Sequence, residues 1–278
     1  MPPLNTENNF NNHLSWSLKR RLIYIAVVLG VVFFTIIIPA FLNFSKEPSC
    51  IDNKKNQDEK GVDCGGSCSK ICESEASLPS VLWSQAFEVA PGVYNVLTLV
   101  ENSNINSESN SVSYAFILKD SEGNIIAERK GQTFIPNSQT IAIFEQGLRP
   151  NGEPVTTEFE FAGTPTWIKK VDPIPDIAIR SQTLSSVATA PRLEVEIENK
   201  SLEDVERLEV VAIIFDSQAK PIAFSRTFVD NFDADEVSKV IFTWNQPFDT
   251  EVCDALGTEC FAGPTTIEII TKVVPRVR

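Results

Sequence analysis

The chain has 278 residues, with 24 Lys and Arg against 37 Asp and Glu, a formal charge of −13 and a single histidine. Residues 1–21 carry +2, 46–76 carry −2, 77–172 carry −5 and 173–278 carry −8, so the acidity lies in the C-terminal two thirds. That distribution argues against nucleic acid as a partner, because phosphate binding needs clustered Lys and Arg. The one histidine, His13, lies near the N-terminus, so the rest of the chain holds no Ser-His-Asp or Cys-His machinery and no His-ligated metal.

Residues 1–21 are polar and Asn-rich and are expected to form a disordered tail. Leu22–Leu42 is an uncharged run directly after Lys19-Arg20-Arg21. As a helix it reaches about 30 Å, the thickness of a bilayer's hydrocarbon core. Trp16 and Tyr24 fall where aromatic residues settle at a membrane interface. The three basic residues on its N-terminal side predict a cytoplasmic N-terminus and an exported C-terminal part, in a single-pass membrane protein. A cleaved signal peptide is the alternative. Cleavage after Ala40, however, would put Ile38 where a small residue belongs, and Glu47 is out of place for lipid attachment at Cys50. Retention as an anchor is the expectation.

Residues 43–79 are read as a cysteine module and linker. All six cysteines follow the anchor, which suits an oxidising compartment. Cys50, Cys64, Cys68 and Cys72 sit among too few apolar residues for a core, so crosslinks must hold them. Two disulfides are expected, with the pairing open among three possibilities and four-thiolate zinc as the alternative. Asp52, Asn56, Glu59 and Asp63 offer hard oxygens close together, the set that Ca²⁺ takes, against the plainer reading of a solvated polar loop. No other cofactor is expected. The run C-x-D-x-x-x-N-x-x-E-x-G-x-D-C-G-G-x-C, Cys50 to Cys68, resembles a short D-C-G-G-x-C module found after the membrane anchor in exported bacterial proteins. The resemblance implies a cell-envelope location and no particular activity.

Beyond the polar linker 73–79 the chain repeats itself. Glu101-Asn102 recurs as Glu198-Asn199, Asp120-Ser121 as Asp216-Ser217, and Phe161-Ala162-Gly163 as Phe261-Ala262-Gly263. A nearly steady offset of this size predicts two tandem domains, 80–172 and 173–278. Asn95–Val100, Ser113–Leu118 and Thr140–Phe144, with Arg192–Ile197, Glu209–Phe215 and Lys239–Trp244 as counterparts, read as short alternating strands separated by turns. The fold class is therefore mainly β: one transmembrane helix, a small disulfide-rich module and two antiparallel β-sandwiches, immunoglobulin-like or fibronectin-III-like. The stretches YAFILKDSEGNIIA and VVAIIFDSQAKPIA resemble the FxLYD-type domain through Phe116, Leu118, Asp120 and Gly123, and through Ile214, Phe215 and Asp216. That resemblance implies a prokaryotic extracytoplasmic sandwich. Pro173 and Pro175 stiffen the join and predict an extended pair of domains.

Cys253 and Cys260 are expected to close a small loop late in the second domain. Asp230, Asp233 and Asp235 form an acidic turn, a weaker calcium alternative that the first domain lacks. Trp83, Trp167 and Trp244 are read as core or sheet-face residues. The chain carries no glycine loop, nucleophile elbow or metal signature. The expected role is non-enzymatic: a tethered interaction or structural protein whose partners are the lipid bilayer and an unknown envelope protein or cell-wall component. The alternative is an accessory subunit or carboxylate-based enzyme acting on cell-wall polysaccharide.

Overall fold

The computed structural model describes residues 16–40, 49–56, 58–170, 174–248 and 266–275, and the backbone alone of 251–253 and 260–262. The chain divides into two compact units, Met1–Asp52 and Asn53–Arg278. In the first, helix α1 (Trp16–Val32) continues through a π-helical stretch, Phe33–Ile37, to Ala40. Pro39 has no N–H and its ring presses on the carbonyl four residues back. The wider turn just before it absorbs this, with the Ile38 N–H donating to Phe33 O. The helix starts earlier than the apolar run, so Lys19, Arg20 and Arg21 lie on its first turns, and Arg20 stacks 3.9 Å over the Trp16 ring. Its 25 residues are long and apolar enough to cross a membrane, and none is buried in protein. The tail through residue 15, Phe41 and Leu42 lie outside the described residues.

The second unit holds the module from Asn53 onward and both sandwiches. The first sandwich uses β1 (Ser80–Ala90), β2 (Val93–Asn102), β3 (Ser107–Lys119), β4 (Ile125–Ile135), β5 (Gln139–Leu148), β6 (Thr156–Ala162) and β7 (Ile168–Lys169). The second uses β8 (Ile177–Ser185), β9 (Arg192–Asn199), β10 (Val205–Phe215), β11 (Pro221–Phe232), β12 (Val237–Thr243) and β15 (Thr266–Val273). A short ribbon, β13 (Glu251–Cys253) with β14 (Cys260–Ala262), precedes the last strand. All pairings are antiparallel. The sheets run β1-β2-β5 and β4-β3-β6 in the first domain, with β7 also pairing β3, and β8-β9-β12 and β11-β10-β15 in the second.

Each sandwich closes over its own core. Val96, Val100, Phe116, Leu118 and Ile141 fill the first, with Trp167 buried at its edge. Leu193, Val195, Ile197, Val210 and Phe242 fill the second, with Trp244 packed against them. Matching turns link the central strands to their hairpin partners. Asp120 Oδ1 accepts the N–H groups of Glu122 and Asn124, and Asp216 Oδ1 accepts those of Gln218 and Lys220. The left-handed position in each turn is taken by Gly123 and by Ala219. Asn102 and Asn199 are both fully buried and both tie the next loop to the crossing between the two sheets: Asn102 donates to Ser107 O and to Pro136 O after β4, Asn199 to Glu203 O and to Phe232 O at the end of β11.

Two expectations are corrected here. The domains are not an extended pair. Leu97, Leu99, Ala142 and Phe144 on the outer face of β2 and β5 pack against Val211, Ile213 and Phe224 on the outer face of β10 and β11, with Trp83, Phe87 and Ile270 around them. Each large apolar side chain buried this way stabilises by about 1.5–3 kcal/mol, so the face outweighs any preference of a two-proline join for separation. The unit is thus four sheets deep. Consequently β2 and β10 are not alternating strands: Val96–Val100 and Leu208–Ile214 are buried continuously, as strands covered on both faces must be.

The linker is docked as well. Asn104 receives the Ser77 N–H on Oδ1 and donates Nδ2 to Ser77 O. The module lies against the first sandwich, where Ile71 N–H donates to Trp167 O and Lys169 N–H to Ser69 O.

Candidate functional site

Inside the module, Cys64 and Cys72 form a disulfide, and Cys50 and Cys68 are each disulfide-bonded. That leaves no thiolate here for the zinc alternative. Glycine is needed where the loop is tight. A Cβ at Gly66 would lie 2.2 Å from Asp58 O, and one at Gly61 would lie 2.7 Å from Cys64 Sγ. Asn53 adopts a left-handed backbone, φ 57°.

Of the proposed calcium ligands, Asp63 and Glu59 turn their carboxylates to backbone N–H groups of the module, while Asp52 is exposed. Both Asp63 carboxylate oxygens accept the Asn53 N–H, at 3.1 and 3.0 Å. Glu59 is buried, with Oε2 accepting the Asn56 N–H at 3.0 Å and Oε1 3.3 Å from Cys68 Sγ. Asn56 therefore meets Glu59 through its backbone, and Asp52 belongs to the first unit. Asp58, which the sequence pattern does not single out, accepts Ser67 Oγ at 2.8 Å, and this bond holds its carboxyl below the usual range.

In the acidic turn, Asp230 pairs with Arg207 at 3.6 Å, and Asp233 and Asp235 enter it through their backbone N–H groups, to Glu236 Oε2 and to Asn199 O. The structure brings these three to the β11–β12 connection, organised by Asn199 and by Asp204, which accepts the Ala234 N–H. The Cys253 and Cys260 backbones sit opposite each other in the β13–β14 ladder, while their side chains lie outside the described residues.

The strongest constellation is one that sequence reading did not find. A cleft of about 880 Å³ opens between the domains, where the β11-β10-β15 face runs past the edge of the first sandwich. Alternation along β10, β11 and β15 sets which side chains reach it. Glu209, Arg226, Phe228 and Lys272 share the face of Val211, Phe224 and Ile270. Glu209 is 5 % exposed and Lys272 7 %, and they pair at 2.7 Å. Arg226 Nη1 donates to Glu209 at 3.3 Å and to Phe144 O at 3.2 Å, and Lys272 Nζ lies 3.4 Å from Thr133 Oγ1. The guanidinium of Arg226 also lies 4.6 Å over the Phe144 ring and 5.3 Å over Phe228, whose ring Arg207 covers at 4.3 Å.

On the other wall Tyr114 Oη donates to Glu145 Oε1 at 2.8 Å. Burial, then that bond, push the phenol well above its ordinary range, so it stays a neutral donor. Gly131 makes room for it, since a Cβ there would stand 2.4 Å from Tyr114 Oη. Chemically, the cleft presents fixed donors and two engaged carboxylates between aromatic walls.

A second depression, between the module and β3–β7, is lined by Lys60, Lys169 and Lys170. Each of these has an internal partner: Glu75, Gly66 O and Glu108 respectively.

No protein-family model and no curated protein matches the chain. Among solved structures, a beta-glucuronidase from glycoside hydrolase family 2 is similar over 55% of this chain at 11% identity and a TM-score of 0.21. This chain spans 20% of that protein's length, and a likeness at that score carries no argument.

Proposed function

We propose that the chain is a membrane-tethered, non-enzymatic interaction protein of the cell envelope, with a cytoplasmic N-terminus and its sandwiches outside. In this reading the two domains are tandem copies of one FxLYD-like sandwich. Their identical strand order, their matching Asp120 and Asp216 turns and their buried Asn102 and Asn199 support it. The observation that carries the proposal is the continuous apolar core between the domains. It makes one stiff body of both sandwiches, in a chain whose apolar helix is long enough to anchor it. A stiff body presents loops and sheet edges at a fixed geometry, which suits docking.

The polysaccharide-active alternative rests on Glu145 and Glu209 in the cleft. Both are held by structural partners, Tyr114 for one and Lys272 with Arg226 for the other, which supports the non-enzymatic reading.

Topology is tested with a membrane-impermeant maleimide on spheroplasts expressing the full chain. Exposed Ser185→Cys should be labelled in intact spheroplasts, and Ser17→Cys only after lysis. The reverse pattern would overturn the orientation. Release of reducing sugars from purified cell wall by the full chain would favour the enzyme.

A further inference from the structure

We propose that the interdomain cleft docks an extended, acidic peptide segment of a partner protein, laid along the free edges of β4 and β5 with a carboxylate on Arg226 and Lys272. The proposal deepens the interaction reading above and rests on it for the compartment in which the partner is met.

The first argument is the line the cleft follows. Gln132, Thr133 and Phe134 are consecutive on β4, and Ile143, Phe144 and Glu145 are consecutive on β5, yet all line it. Successive side chains of a strand point to opposite faces. A cleft that touches three in a row therefore runs along the strand's edge rather than over its face. Both strands are terminal in their sheets. A terminal strand carries a row of main-chain donors and acceptors outside any ladder, the template for strand addition. One of these groups already takes a partner from outside the sheet: Phe144 O accepts Arg226. Further along β4, Glu128, Arg129 and Lys130 put charges on the edge, which discourages pairing there. Gly131–Phe134, beside the cleft, carries none.

The second argument is spare donors. The cleft's four charges balance, with Glu209 shared by Arg226 and Lys272 and Glu145 taken by Tyr114, so both carboxylates are engaged while the cations keep N–H groups in reserve. Lys272 uses two of its three N–H groups, on Glu209 and Thr133, while almost wholly buried. Arg226 donates from Nη1, and among the described residues neither Nε nor Nη2 donates to a partner. A guanidinium fork with open donors beside a buried ammonium suits a carboxylate, which two parallel N–H bonds hold at a fixed angle. The walls suit the remainder of such a segment: Phe134, Phe228 and Pro275 offer apolar surface to side chains at alternate positions.

The test selects octapeptides from a displayed library against the detergent-solubilised full chain, then measures synthetic, fluorophore-labelled versions by anisotropy. Selected peptides should share a carboxylate at one position. Arg226→Gln should weaken them about tenfold or more, the loss expected for a charged hydrogen bond. Arg180→Gln, which disturbs only the exposed pair with Glu198 on the far sheet, should leave binding unchanged. N-methylation of alternate peptide amides should abolish binding to the wild-type chain, a readout independent of whether the variant folds. Undiminished binding of N-methylated peptides, or equal affinity for Arg226→Gln, would overturn the proposal. So would failure to enrich any peptide, whether the cleft is then saturated by polygalacturonate or mediates self-association of the chain. None of these outcomes alters the maleimide result, so the two readings fail separately.

Discussion

Tyr114 shows how one omitted side chain sets a polar contact. β3 and β4 pair Tyr114 directly with Gly131, and only the missing Cβ lets the phenol turn toward Glu145. Gly131→Ala should cost about 1–3 kcal/mol, the usual range for an overpacked site, and denaturant titration of the full chain measures it. The phenol also predicts a pH dependence. Its folded pKa is raised above the unfolded value of about 10. The stability it contributes is therefore complete below pH 10 and is lost as pH climbs toward the folded value. Denaturation midpoints of the wild type should fall more steeply above pH 10 than those of Tyr114→Phe. Equal slopes would show that the phenol is not held neutral by its site.

At the scale of elements, the module is the part held together by least apolar surface. Its Cys64–Cys72 bridge closes a loop of sequence separation 8, worth about 2–3 kcal/mol in the chain-entropy account. The paired substitution Cys64→Ala with Cys72→Ala should raise amide exchange across 58–72 and leave exchange in β2 and β10 unchanged.

Much of this level was legible in the sequence. Every run singled out for strand patterning falls largely or wholly within a strand, because the inner faces of both sandwiches follow period two. VVAIIF in β10 and NVLTLV in β2 do not follow period two: they are nearly unbroken apolar runs, the mark of a strand buried on both sides. That signal points to the interdomain core and outweighs the two prolines of the join. The cleft was hidden for a different reason. Tyr114, Glu145, Glu209, Arg226 and Lys272 come from five strands, and no spacing links them. Two local oddities could have flagged it: a glycine in mid-strand at 131 and a lysine on the otherwise apolar end of β15. The spacing of Asp52, Asn56, Glu59 and Asp63 does not reveal that Glu59 and Asp63 accept backbone N–H groups of their own loop, because those bonds depend on how the loop turns.

For the molecule as a whole, the interdomain core should make the two sandwiches unfold as one. Phe224 reaches across to Phe144 and Phe87, edge-to-face at 5.4 and 4.8 Å, and stands outside the inner core of its own domain. Phe224→Asp should cost at least about 3–5 kcal/mol, the loss from truncating a buried Phe before any charge is counted. A single calorimetric transition of the full chain should become two, one for each sandwich. The same face also bears on how the protein is made. Synthesis completes the first sandwich while the second, about a hundred residues, is still to come, an interval of about 5–20 s at ordinary elongation rates. Through that interval Leu97, Leu99 and Phe144 form a finished but uncovered apolar wall. The nascent chain must therefore be shielded by a holdase, or kept from neighbouring nascent chains, until its own C-terminal half arrives to cover that wall.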